Sequence, residues 1–97
     1  MIQRIVHMHF HQDEVERFLD LFNRHKEQIA SQRGCRGLHL VQSPDDSGDI
    51  RTLSLWDSED DLLRYRNSEL FGTVWPATKA LFDKPPSAES LAVLWAS

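Results

Sequence analysis

One cysteine, Cys35, four glycines and four prolines are spread over 97 residues. No apolar run approaches the roughly 20 residues that a membrane span requires. A lone cysteine excludes an intrachain disulfide and a C-x-x-C redox or zinc framework, which fits a reducing compartment. Basic residues are also in short supply. Eleven Lys and Arg stand against 15 Asp and Glu, a formal charge of -4, so the basic excess of a phosphate-backbone binder is missing and nucleic acid is not an expected partner. The first ten residues carry a single basic side chain, Arg4, and polar residues recur every second or third place, unlike a signal peptide. A cytoplasmic protein without a membrane partner is the expectation. With no repeat, low-complexity tract or long linker, residues 1–97 read as a single domain. Its apolar share of 40 % is enough for one core with a thin stability margin, which favours self-association.

What is present is a clear alternation of periods. Ile2 to His11 alternates with period two, placing Val6, Met8 and Phe10 on one side and Ile5, His7, His9 and His11 on the other, which predicts a strand. Asp13 and Glu16 have capping-box spacing, and Val15, Phe18, Leu19, Phe22 and Ile29 recur at helical spacing before Gly34, a left-handed stop. Cys35 to Ser43 reads as a strand, Pro44 to Asp49 as a turn, and Ile50 to Trp56 as the returning strand of a hairpin. Ser58 with Asp61 opens a helix to about Asn67, and Ser68 caps a further helical segment through Phe71, Val74, Trp75, Thr78 and Leu81. Pro76 is expected to kink that segment or start a new turn. After Pro85-Pro86, Glu89 to Trp95 is the expected last strand.

Strand, helix, strand, strand, helix, strand is the ferredoxin-like order: an α+β fold with a four-stranded antiparallel sheet in the order 4-1-3-2 and both helices on one face. One sheet face is then uncovered. The expectation places Ile5, His7, His9, His39, Thr52, Ser54 and Trp56 on it, too mixed for a buried core and too aromatic for bare surface. A homodimer joined through this uncovered sheet face, enclosing a semi-polar cavity, satisfies both conditions.

Several segments carry a family likeness: Arg33 to Gly37 (R-G-C-R-G), Leu55 to Asp61 (L-W-D-S-E-D-D) and Ser68 to Pro76 (S-E-L-F-G-T-V-W-P). With the early strand, they resemble the antibiotic biosynthesis monooxygenase superfamily of dimeric α+β barrels over nearly the whole chain. The resemblance implies chemistry without cofactor, metal or flavin. A phenolic or quinol-like aromatic molecule is deprotonated and passes an electron to O2, as in a monooxygenase or quinol oxidase. His7, His9 and His39 are then the candidate catalytic groups, since histidine titrates near neutrality. Ile5, Thr52, Ser54, Trp56, Tyr65 and Trp75 are the candidate substrate-binding residues, Trp56 as wall or donor. The heme-degrading branch fits poorly: its iron-ligating histidine falls on Trp75 and its ring-distorting tryptophan on Tyr65. The competing class is a non-catalytic dimeric module that binds a small molecule.

His7, His9 and His39 also raise a three-histidine metal site. In the predicted strand order, His39 lies two strands away from the other two, about 9 to 10 Å at ~4.8 Å per strand, so one ion would need ligands contributed across a dimer. Acid/base and structural roles for these histidines remain open beside it. Cys35 has no neighbouring base in sequence and is assigned no chemistry.

Overall fold

Each alternating segment forms a strand. The computed structural model describes residues 1–97, with β1 (Ile2–His9), α1 (Val15–Ala30), β2 (Cys35–Ser43), β3 (Asp46–Trp56), α2 (Glu59–Arg66), α3 (Glu69–Lys79) and β4 (Ser87–Ala92). A short 3-10 turn, Gln12–Glu14, precedes α1. The four strands make one antiparallel sheet in the order β2-β3-β1-β4, the ferredoxin-like arrangement. Met8, Phe10 and Ile50 of the sheet meet Val15 and Phe18 of α1 and Leu81, just beyond α3, in the main core. None of the helices is long and apolar enough to cross a membrane.

The register corrects one expectation. Ile2 pairs with Trp56, Arg4 with Ser54, Val6 with Thr52 and Met8 with Ile50. Directly paired residues point to the same side of a sheet. Thr52, Ser54 and Trp56 therefore share the helix-covered face with Arg4, Val6 and Met8. Ile5, His7 and His9 stand on the opposite face, paired with Leu53, Arg51 and Asp49. His39, which pairs with Leu53, joins them there.

Local details differ where backbone contacts override side-chain signals. Asp13 caps no helix: the 3-10 turn closes through Glu14 N–H donating to the His11 carbonyl at 2.9 Å, and α1 starts without a side-chain cap. Ser58 and Ser68 do cap α2 and α3, their hydroxyls accepting from the backbone N–H groups of Asp61 and Phe71. Pro76 does not restart the helix. It lies inside α3, and the carbonyl it leaves without a helical donor belongs to Gly72, exposed with open space around it, so water can reach that oxygen. The last strand begins and ends earlier than expected, because it pairs only with β1 and its last partner there is Ile2, opposite Ala92.

Gly34 adopts φ +84° between α1 and β2, its carbonyl accepts the Asp57 N–H at 2.8 Å, and a Cβ there would collide with the Asp61 side chain. Gly34→Ala should cost at least about 1–2 kcal/mol, the penalty of a left-handed non-glycine residue. Urea unfolding checks this through a lower midpoint at unchanged slope.

Candidate functional site

Between the sheet and the helices lies a cavity of about 270 Å3. Its floor is the helix-facing row just described: Arg4, Val6 and Met8 from β1 and Thr52, Ser54 and Trp56 from β3. Phe18, Phe22 and Ile29 of α1, Tyr65 and Arg66 of α2, and Phe71, Val74, Trp75 and Thr78 of α3 make up much of the opposite wall. The amphipathic spacing that folds each helix onto the sheet also turns these side chains inward.

Aromatic rings organise the wall. Tyr65 stacks on Trp56 with centroids 5.3 Å apart, meets Phe71 edge-on at 5.3 Å, and Phe71 stacks on Trp75 at 5.8 Å. The series continues through Phe82, Phe10, Phe18 and Phe22. Every aromatic side chain of the protein except Trp95 belongs to it. Stacked and edge-on contacts fix ring orientation beyond simple burial, so the space between sheet and helices has stiff, flat walls suited to a flat guest.

Polar groups in the cavity are few. Trp56 is fully buried, and its indole N–H already donates to the Ser54 hydroxyl at 2.9 Å, so it offers no free donor and supports the Tyr65 ring from beneath. Thr78 gives its hydroxyl proton to the Val74 carbonyl at 2.8 Å. Burial pushes the Tyr65 hydroxyl up to about 12, which keeps it protonated and able to donate throughout the neutral range. Arg4 donates to the Ser90 hydroxyl at 3.1 Å. Its pKa is lowered, first by burial and then by the nearby Arg66 charge, yet a guanidinium stays cationic under such shifts.

Thr52, Ser54, Trp56, Tyr65 and Trp75 are thus brought together, while Ile5, His7, His9 and His39 lie outside the cavity, across the sheet. The three histidines do not converge on one another either. His7 Nε2 contacts Asp49 at 2.8 Å, and His39 is exposed on β2. His9 Nε2 faces Asp46 at 2.8 Å and its Nδ1 faces Asp83 at 2.6 Å. Arg4 and Arg66 also line the cavity, and neither is among the candidates the sequence suggests. Arg4 did leave a signal, as a charged residue in the Ile2, Val6, Met8, Phe10 row of an otherwise apolar strand face.

His9 is a brace. Both ring nitrogens meet carboxylates, so both must carry protons to donate, and the hydrogen bonds to Asp46 and then Asp83 raise its pKa above 6.5. Asp46 and Asp83 are lowered from 3.8, in each case chiefly by the same His9 bond. The stabilisation from His9 is complete below its unfolded value and is lost as pH rises through the raised folded value. The carboxylate contribution is present above about 3.8 and lost as pH falls through the lowered values. The brace is strongest between these limits. The unfolding midpoint of the protein minus that of His9→Gln should be largest from about pH 4 to 6.5 and shrink at higher pH, measured by urea titration across pH.

The family model described as antibiotic biosynthesis monooxygenase matches residues 1–75. Among solved structures, Rv0793 from Mycobacterium tuberculosis matches with TM-score 0.89 and 20 % identity over 99 % of this chain and 97 % of that one. A conserved protein from Methanosarcina mazei Go1 matches with TM-score 0.89 and 19 % identity over 93 % and 89 %. A variant of SnoaB, a cofactor-independent oxygenase from Streptomyces nogalater, matches with TM-score 0.86 and 17 % identity over 98 % and 94 %. At these identities the likeness to each structure is one of fold. No curated protein matches the chain.

Proposed function

The chain belongs to the antibiotic biosynthesis monooxygenase family, and from that premise we propose that it binds a small phenolic or quinol-like aromatic molecule in the cavity between sheet and helices and brings it to O2 without a cofactor. The observation that carries this reading is the aromatic lining of a space of about 270 Å3. An apolar cavity of about 150 Å3 accommodates benzene, so the guest is a molecule of one or two fused rings. In quinol oxidation, two electrons and two protons leave the ring diol for O2, giving the quinone and hydrogen peroxide. The chain's part is to bury the ring against Trp75 and Phe71 and to offer the Tyr65 hydroxyl to a ring oxygen.

One observation favours a second reading, a binding module without turnover. The cavity is lined by no histidine and no carboxylate, so it holds no side chain able to act as a base near neutral pH. An oxygen electrode separates the two. With 1,4-naphthohydroquinone, uptake above the uncatalysed rate supports the oxidase, with a roughly tenfold loss in Tyr65→Phe, the worth of one hydrogen bond to a charged or developing charge. Val74→Phe, which fills the cavity from α3, should abolish uptake at a stability cost of about 1–3 kcal/mol. Saturable binding without uptake supports the module, and absence of both overturns the cavity reading.

We further propose that the protein is a homodimer through the uncovered sheet face. Ile5, Leu53, Leu55, Val41 and Leu91 are apolar on that side, and Val41 and Leu91 are 40 % and 48 % exposed. A second copy would remove this surface from water. Sedimentation should give a dimer at micromolar concentration and a monomer for Val41→Glu. A stable wild-type monomer would sink the idea.

A further inference from the structure

Two charged side chains line the cavity, Arg4 and Arg66, and both are cationic. The chain as a whole has the opposite bias, with 15 acidic against 11 basic residues. Four other arginines are partnered by carboxylates, Arg17 by Glu14, Arg36 by Asp57, Arg51 by Asp49 and Arg64 by Asp61, while Arg24 and Arg33, which lie outside the cavity, make no ion pair. Arg4 has only a neutral acceptor, the Ser90 hydroxyl, and Arg66 makes no ion pair although Arg64, two residues earlier on α2, does. The end of α2 favours a cation at Arg66, but the helix dipole gives no reason for Arg4, which stands in the middle of a strand between Ile2 and Val6 on the side facing the helices.

Arg4 is partly buried and Arg66 exposed, and two like charges near one another repel, a cost that an anion between them would remove. The effect is visible at Arg4, whose pKa burial and Arg66 together depress. A carboxylate arriving between the two would relieve the repulsion and complete the planar, forked hydrogen bonding that guanidinium groups offer. Resting on the reading that this cavity is the ligand site, we infer that the aromatic ligand is an acid, its ring held in the aromatic walls and its ionised carboxylate held by Arg4 and Arg66. In the quinol-type substrate proposed above, the carboxylate is therefore a substituent of the ring that undergoes oxidation.

Calorimetric titration with 1-naphthoate and its neutral isostere 1-naphthamide, neither of them an oxidisable quinol, tests this apart from any turnover. Naphthoate should bind roughly tenfold to hundredfold tighter than the amide, the range of a charge-assisted hydrogen-bond pair. Arg66→Gln and Arg4→Gln should each remove most of that preference while leaving the weak amide binding in place. Arg17→Gln, which removes a positive charge on the exposed side of α1, should leave the preference intact. Equal affinity for acid and amide overturns the inference and leaves the aromatic cavity standing. Binding of neither overturns both. A preference that survives both Arg4→Gln and Arg66→Gln also overturns it, since the anion would then be held elsewhere.

Discussion

The pairing of β1 with β3 holds the whole arrangement in place. With Ile2 opposite Trp56, the row Arg4, Val6, Met8 lies level with Ser54, Thr52, Ile50 and faces the helices. A slip of one residue in β3 would turn Trp56 out to the open side and Leu53 and Leu55 in, because side chains alternate with a period of two. The cavity floor, the Trp56 to Tyr65 stack and the Ser54 to Trp56 hydrogen bond all depend on that one choice. Two features pin it: the full burial of Trp56 and Ile50, and the tie of Phe10 N–H to the Gly48 carbonyl at the far end of the pair.

The same pairing explains which parts of the structure were legible in the sequence. Alternation identified β1, β2 and β3 as strands and sorted each into two sets of residues correctly, and the turn signals after Ser43 made β2 and β3 a hairpin, although the turn itself is only residues 44–45 and β3 already begins at Asp46. Ser58 and Ser68 announced two helix starts that the structure contains. The joining of sets across strands was not legible. In β3 both sets are partly apolar, Ile50 with Trp56 on one side and Leu53 with Leu55 on the other, so hydrophobicity alone does not say which one matches Val6 and Met8. His7, His9 and His39 stand on the open side of the sheet, across from the cavity. The charged groups that do line it are two arginines, of which Arg66 looks in sequence like an ordinary basic residue closing a helix.

His9 and the aromatic series divide the labour of holding the helices over the sheet. The rings act in the apolar interior, where contacts are insensitive to pH and salt. The brace acts at the rim, where His9 joins the end of β1 to Asp46 at the start of β3 and to Asp83 before β4. Gly48 sits between them, with space beside the Phe10 carbonyl and the His9 ring too small for any side chain. The segment after α3 is therefore anchored at Asp83 and by the Phe10 to Phe82 bridge before it enters β4. Ser87 and Ala88, which line one part of the cavity, follow only a few residues later, so the rim brace and the shape of the cavity are mechanically connected.

The three tryptophans stand at three depths: Trp56 is sealed at 0 % exposure, Trp75 is half-buried on the cavity wall, and Trp95 is 82 % exposed beyond the last strand. Their emission colours should differ accordingly, blue for the first and red for the last. The molecule carries its own optical ruler, in which the sealed indole reports on the interior, the wall indole on whatever occupies the cavity, and the outer one on the surroundings of the chain's end.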